Sequence, residues 1–170
     1  IEIGFRSPEL LKVWKSKGLT AKGYDVVKSN VLVSKYLGYD VDIYDLNLCN
    51  QKLIIPPNSL IVSYHVLEHI SNPMLALQTI YDAMDSTSFF HVEIPIEIYD
   101  KPDIENGHLQ TFKWGDIQYM LESIGFKIVD GITHQDTYVE KFDHHPHFKD
   151  IITKTIREGH TGHERYLVTK

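Results

Sequence analysis

Apolar residues along this chain recur with two periods, one typical of buried strands and one typical of amphipathic helices. The first stretch, IEIGFRSPEL, predicts a short strand, a turn at Gly4 and a helix that begins directly after the turn. Its β-branched residues suit a buried strand. Ser7 is predicted to cap the helix, and Pro8 and Glu9 suit a first helical turn.

The same two patterns continue to the end of the chain. Helices with apolar faces are predicted over residues 8–17, 29–37, 72–84 and 114–124. Further strands are predicted to end near residue 25 and to cover 39–46, 60–63, 88–95, 126–132 and 164–170. Val41 and Ile43 are expected to share one side of their strand. Pro95 is expected to end the fifth strand, and Asn72 to cap the third helix.

Strands that alternate with helices predict an α/β fold, in which a mostly parallel sheet is covered on both faces. Such sheets bind ligands at the carboxyl ends of their strands. Only the irregular, histidine-rich segment 133–163 separates the last two strands, so we expect these strands to form an antiparallel pair. With 170 residues, 42% of them hydrophobic, the chain is interpreted as a single domain over 1–170.

Composition narrows the range of partners. The net charge is −6 and the Lys and Arg residues are scattered, so we expect no nucleic-acid partner, which would require a basic face. No apolar run approaches the ~20 residues of a membrane span, so no membrane contact is expected. Cys49 is the only cysteine, which indicates a reducing compartment, the cytoplasm. Because the chain begins inside a predicted strand, we expect a segment to precede Ile1.

Three acids stand near predicted strand ends. Asp25 lies 21 positions after Gly4, the spacing at which an acid accepts hydrogen bonds from ribose hydroxyls, and a solvated loop acid is an equal alternative. Asp45 ends the third strand, where it either borders a ligand or serves as a turn residue, the interpretation we favour. Glu2 stands among apolar residues, so it is either at the ligand end of its strand or exposed at an edge.

Two segments carry a resemblance to a known family. YHVLEHISNP at 64–73, directly after the apolar strand LIVS, resembles the segment after the fourth strand of class I S-adenosylmethionine-dependent methyltransferases. GHLQTFKWGDIQYMLESIGFKIV at 107–129 is similar to a later segment of the same superfamily. The resemblance covers about residues 1–132 and the last strand.

The resemblance implies a three-layer Rossmann-like sandwich with a seven-stranded sheet, whose last strand is inserted antiparallel. It also implies S-adenosylmethionine as the cofactor, with a glycine turn near its methionine part, an acid on its ribose and a third-strand segment against its adenine. The residues that match this site are Glu2, Gly4, Phe5, Arg6, Asp25, Asp45, Leu46, Ser63 and Tyr64. Phe5 and Tyr64 suit a pocket wall or the core equally well.

The glycine motif departs from the family pattern. Where the family has a second and a third glycine, this chain has Arg6 and Pro8. Pro8 is explained as a helix-start residue. The Arg6 side chain stands where the backbone normally approaches the ligand, so its guanidinium either pairs with the cofactor's carboxylate or fills the pocket.

Histidines are the candidate bases. Methyl transfer needs a base only when the acceptor carries a proton to be removed, and His65 and His108 stand in segments expected near the ligand. An ordinary hydrogen-bonded histidine is the alternative for each. The tail histidines, including DHHPHF at 143–148, lack the spacing of a known metal motif, so no metal site is predicted. The insertion that contains them is expected to shape an acceptor site or a partner contact.

The favoured function is a methyltransferase that acts on a small-molecule or metabolite acceptor. The alternative is a methyltransferase-like domain that has lost its cofactor and serves as a binding or structural module, as Arg6 and Pro8 suggest. A nicotinamide-dependent enzyme shares the glycine turn and the acid but leaves the VLEH segment unexplained. The acceptor and the oligomeric state stay open.

Overall fold

The computed structural model describes residues 1–48, 51–97, 101–132 and 160–170. The strands are β1 (Glu2–Ile3), β2 (Gly23–Asp25), β3 (Val41–Ile43), β4 (Leu60–Tyr64), β5 (Phe89–Glu97), β6 (Lys127–Ile132) and β7 (His160–Thr169). The helices are α1 (Glu9–Ser16), α2 (Lys28–Tyr36), α3 (Pro73–Ala83) and α4 (Asp116–Ile124), with 3₁₀ turns at Leu67–His69 and Ile104–Asn106.

The strands form one seven-stranded sheet in the order β3-β2-β1-β4-β5-β7-β6. Strands β1 to β5 pair in parallel, whereas β7 is antiparallel to both β5 and β6. This arrangement confirms the predicted mostly parallel sheet with an antiparallel last strand. The strand order reverses between β1 and β4, which is where sheets of this class leave a crevice for a ligand.

Two hydrophobic clusters pack the helices against the sheet. The smaller cluster joins α1 and α2 to β3 through Leu11, Val31 and Val41. The larger cluster contains the buried faces of α3 and α4, including Leu77 and Leu121. Helices packed by two separate clusters confirm the predicted three-layer Rossmann-like sandwich.

Helix ends follow the sequence signals with one exception. Asn72 caps α3, where its side-chain oxygen accepts a hydrogen bond from the Leu75 N–H at 3.1 Å. Gly125 ends α4 in the left-handed conformation, with a φ of 112°. The predicted cap at Ser7 is wrong, because its hydroxyl donates to the carboxylate of Glu9 and α1 has no side-chain cap.

The third strand is shorter than predicted, and its two apolar residues differ in burial. Residues 39–46 were expected to be extended, but β3 covers only Val41–Ile43. Val41 and Ile43 lie on the same side of the strand, but Val41 is buried while Ile43 is 48% exposed. β3 is the edge strand, its pairing with β2 extends only to the hydrogen bond from the Tyr44 N–H to the Asp25 carbonyl at 3.0 Å, and a turn follows at residues 46–48.

Pro95 does not end the fifth strand. The last pair between β4 and β5 is Tyr64–Glu93, and the Glu93 carbonyl accepts the His65 N–H on the β4 side. Residues i and i+2 of a strand direct their backbone N–H and C=O groups toward the same neighbouring strand. The backbone of Pro95, like that of Glu93, therefore faces the β4 side of β5, and β4 has already ended at this level. Its missing N–H therefore costs no ladder hydrogen bond, and β5 continues to Glu97 beside β7.

Strand β7 begins at His160, four residues before the predicted start at 164. It therefore includes the last part of the predicted irregular segment, while residues 133–159 lie outside the described residues. None of the helices in the described ranges has the length and hydropathy that a membrane-spanning helix requires.

Candidate cofactor pocket

A cavity of about 430 Å³ opens at the carboxyl ends of β1 to β4. Its volume falls within the ~300–1,000 Å³ that is usual for small-molecule sites. Six of the predicted site residues line it, namely Gly4, Arg6, Asp25, Asp45, Leu46 and His65. The sheet therefore brings residues from four separate segments to one crevice at its reversal point.

The first wall of the pocket is the turn at Gly4. Gly4 has a φ of 76°, and a Cβ built there would lie 2.3 Å from Cγ2 of Val66. A contact this close leaves no room for any side chain, so only glycine fits. The turn after β1 is thus pressed against the segment that follows β4.

Arg6 takes the backbone conformation that a glycine would normally supply. Its φ is 44°, and its N–H donates to Oδ2 of Asp25 at 2.8 Å. The side chain is exposed in the pocket wall, and the cavity keeps its volume of about 430 Å³ with the side chain in place. Its pairing with a cofactor carboxylate stays a prediction.

Asp25 joins the glycine turn to the start of α2. Besides the Arg6 N–H, its carboxylate accepts the Val27 N–H on Oδ1 at 2.7 Å, and Nδ2 of Asn30 lies 3.5 Å from Oδ2. The residue is only 6% exposed and still lines the cavity. A carboxylate has about four lone-pair sites, so acceptor capacity is left for ligand hydroxyls.

The third-strand side of the pocket is a turn. Oδ1 of Asp45 accepts the Asn47 N–H at 2.8 Å, which is the turn role favoured for it, although Asp45 also lines the cavity. Leu46 is buried in the same wall. Oδ1 of Asn47 accepts both the N–H and the hydroxyl of Ser71 at 2.8 Å, which ties this turn to the segment before α3.

His65 stands at the β4 side of the pocket with a φ of 54°. Its Nδ1 lies 3.3 Å from Oε1 of Glu68, and its Nε2 lies 3.5 Å from Oε1 of Glu93. Glu68, with Glu93 beside it, raises the pKa of His65 to about 9. The ring is therefore an imidazolium at neutral pH, where it donates hydrogen bonds and does not accept a proton.

Five predicted site residues do not line the cavity. Phe5 packs in the smaller hydrophobic cluster, and Ser63 is buried within β4. Tyr64 contacts the ring of His91, with ring centroids 5.3 Å apart. The binding roles of these three residues stay predictions.

Glu2 and His108 are also outside the cavity wall. Glu2 is 8% exposed, and its burial raises the pKa of its carboxyl to about 7. His108 is buried against the ring of His69, with centroids 5.0 Å apart. His108 thus lies next to a residue of the pocket wall rather than in the wall itself.

Sequence reasoning missed the part of the wall that comes from the VLEH segment. Val66, His69 and Ile70 all line the cavity. A 3₁₀ turn has neither the period of a helix nor that of a strand, so its inward side chains cannot be read from periodicity. The proximity of the 107–110 loop to this turn gave no signal in the sequence.

No protein-family model and no curated protein matches this chain. Among solved structures, an S-adenosylmethionine-dependent methyltransferase from Mesorhizobium loti is similar over 99% of this chain and 89% of its own, with 13% identity and a TM-score of 0.69. Phosphoethanolamine N-methyltransferase 2 of Haemonchus contortus, in complex with S-adenosylmethionine, covers 99% of this chain and 47% of its own, with 13% identity and a TM-score of 0.73.

The 4+2 cyclase SpnF is also similar, over 99% of this chain and 73% of its own, with 14% identity and a TM-score of 0.70. Together with the sheet order, these likenesses show that the chain has the class I S-adenosylmethionine-dependent methyltransferase fold. At this level of identity they show the fold alone, and one neighbour with that fold is named for a different reaction.

Proposed function

We propose that this protein binds S-adenosylmethionine in the pocket and transfers its methyl group to a small-molecule acceptor. The observation that carries the proposal is the turn at Gly4, Arg6 and Asp25, which borders an open cavity at the reversal point of the sheet. In this fold, that position is the ligand crevice.

The residues present suit the cofactor. The Gly4 backbone, which has no room for a side chain, takes the methionine part, and Asp25 accepts hydrogen bonds from the ribose hydroxyls. Leu46 and the neighbouring turn give an apolar wall for the adenine. The planar guanidinium of Arg6 matches the geometry of a carboxylate, so it is suited to the carboxylate of the cofactor. The cofactor, when bound, supplies an activated methyl group on a sulfonium.

The chain's part in the reaction is mainly alignment, because a one-step displacement requires acceptor, methyl and sulfur in line. His65, as an imidazolium between Glu68 and Glu93, is placed to donate a hydrogen bond to an acceptor oxygen. Its raised pKa means that it serves as a base only above about pH 9. At neutral pH an acceptor that is already deprotonated suits this site better.

A small acceptor agrees with the charge of the chain. The net charge of −6 and the scattered Lys and Arg residues give no basic face for a nucleic acid. Among similar structures, the names of phosphoethanolamine N-methyltransferase 2 and of a sarcosine dimethylglycine methyltransferase from Galdieria sulphuraria refer to small molecules. The cytoplasmic location stays a prediction from the single cysteine.

Calorimetric titration with S-adenosylhomocysteine tests the binding half of the proposal. We expect one site, and we expect Asp25→Asn to weaken it by about 10–100-fold, since a hydrogen bond to a charged group contributes about 1.5–3 kcal/mol. Asp82→Asn, the same substitution on the exposed side of α3, is the matched control and should leave the affinity unchanged. Equal affinities for all three proteins would contradict the assigned ribose site.

Turnover separates the enzyme from a cofactor-binding module. Release of S-adenosylhomocysteine from S-adenosylmethionine, measured against a panel of small amines, phenols and carboxylates, is expected with at least one acceptor class. A protein that binds the cofactor tightly but releases no product with the panel would favour the alternative, a module or another reaction on this fold.

A further inference from the structure

A cluster of three side chains with possible metal-ligand atoms lies beside the pocket. Glu68, His69 and His108 each offer one ligand atom, and these atoms all lie within 4.8 Å of one another. Two backbone hydrogen bonds hold the cluster together, because the N–H groups of Leu109 and Gln110 donate to the Glu68 carbonyl at 2.7 and 3.0 Å. The 3₁₀ turn after β4 and the loop that carries His108 are thus joined at this point.

Glu68 is a buried acid that lacks hydrogen bonds. It is 1% exposed, and within the described part of the chain neither of its carboxylate oxygens accepts a hydrogen bond. Oε1 has the ion pair with Nδ1 of His65 at 3.3 Å, which leaves Oε2 with no such contact. The imidazolium of His65 compensates Oε1, but a buried Oε2 without a hydrogen bond is still costly, and a second cation beside it would offset that cost.

His69 is oriented as a metal ligand is. Its Nδ1 lies 3.0 Å from the carbonyl oxygen of Gly107, and donation to that oxygen leaves the Nε2 lone pair free. Metal-binding histidines almost always fix their second nitrogen in this way, often on a backbone carbonyl. His108, the residue after Gly107, is buried with its ring edge to face against His69.

We propose that Glu68, His69 and His108 bind a divalent transition-metal cation, for which Zn²⁺ is the best match. Two imidazoles and one carboxylate suit Zn²⁺ and related ions, whereas Mg²⁺ prefers oxygen ligands. Tetrahedral coordination places ligand atoms about 3.3 Å apart, so the present atoms close by at most about 1.5 Å on binding.

A neighbouring group is the weaker candidate. His65, Glu93 and His163 also have ligand atoms within 4.8 Å of one another. However, Nε of Arg165 lies 3.3 Å from Oε2 of Glu93, so that carboxylate already has a permanent cation. Glu68 of the first group pairs with the imidazolium of His65 through Oε1, but within the described residues its Oε2 accepts no hydrogen bond.

The site has a defined relation to the pocket. His69 belongs both to the cluster and to the pocket wall, so a cation bound here lies beside the proposed cofactor. Three protein ligands leave a coordination position for water or for an oxygen of a bound molecule. The metal site is independent of the proposed function, since the chain can bind Zn²⁺ whether or not it binds S-adenosylmethionine.

Zn²⁺ titration of the full chain, stripped with a chelator and monitored by competition with a chromophoric chelator, tests the proposal. We expect one tight site that Glu68→Gln and His69→Gln each weaken by more than about 100-fold, because loss of a residue that only orients a metal ligand already costs ~10–100-fold. Mg²⁺ should not compete. If Glu68→Gln fails to fold, the Zn²⁺ affinity of His69→Gln still tests the proposal, because His69 is at an exposed position.

Zn²⁺ bound by the histidines of the DHHPHF segment at 143–148 would give a signal unrelated to the proposed site. The control is therefore a triple variant, His144→Gln, His145→Gln and His147→Gln, which should keep the tight site. The proposal is overturned if the wild-type chain has no tight Zn²⁺ site, if that site survives both ligand substitutions, or if the triple variant abolishes it.

Discussion

Arg6 shows how one residue can keep a motif's geometry while departing from its sequence. Its φ of 44° is one that glycine adopts freely and other residues adopt at a cost of about 1–2 kcal/mol. The compensation is the hydrogen bond from its N–H to Asp25. The backbone of the turn is thus kept, and only the side chain is new.

Replacing Arg6 separates backbone strain from the effect of its side chain. Arg6→Gly should raise the free energy of unfolding by about 0.5–1 kcal/mol, because relief of strain exceeds the entropy cost of glycine. Arg6→Ala keeps the strain and should change stability little. Urea unfolding of both variants checks this, and equal gains for the two would show that the guanidinium, not the backbone, is destabilising.

Glu2 makes the stability depend on pH. Burial raises the pKa of its carboxyl from 4.5 to about 7, so the folded protein binds an extra proton between these pH values. Stability therefore falls as the pH rises through this range. Glu2→Gln should be more stable than wild type by about 1–3 kcal/mol at pH 8, where solvent screening sets the lower value, with little difference at pH 4.

Urea unfolding at pH 4, 6 and 8 measures this dependence. Glu105→Gln, at an exposed acid of the second 3₁₀ turn, is the control and should follow wild type at each pH. A difference between Glu2→Gln and wild type that does not change with pH would show that the pKa of Glu2 is the same in the folded and the unfolded protein.

At the scale of elements, the pocket depends on the contact between the turn after β1 and the segment after β4. Gly4 and Gly18 have the same φ of 76°, but only Gly4 has a neighbour within reach of a Cβ, Val66 at 2.3 Å. The two glycines therefore form a matched pair in which strain is equal and packing differs.

Alanine at each position measures that contact. Gly18→Ala should lower the free energy of unfolding by about 1–2 kcal/mol through strain alone. Gly4→Ala should cost about 1–3 kcal/mol more, because it also overpacks the contact with Val66. Urea unfolding gives both values, and a Gly4→Ala cost no larger than that of Gly18→Ala would mean that the two segments can separate easily.

Sequence patterns predicted elements better than they predicted boundaries. The helices and the sheet class follow from periodicity and caps, as Asn72 and Gly125 show. The errors at the bounds of β3 and at Pro95 have one cause, since each depends on which strand lies beside it and where that strand ends. Neighbours of this kind are set by tertiary structure.

At the scale of the whole molecule, the sheet order accounts for most of the site. Gly4, Asp25 and Asp45 are far apart in sequence and meet because parallel strands place their carboxyl ends at one edge. Their positions at predicted strand ends made this foreseeable. The position of His69 in the pocket wall was not foreseeable, because the contact between the 3₁₀ turn and the 107–110 loop produces no periodic pattern of apolar residues in the sequence.

The central claim is that the pocket binds S-adenosylmethionine, and a crystal structure of the chain with S-adenosylhomocysteine tests it most directly. We predict that the ligand lies between the Gly4 turn and Asp45, with its ribose hydroxyls on the carboxylate of Asp25. A ligand bound elsewhere, or an Arg6 side chain that lies across the cavity in its place, would contradict the account.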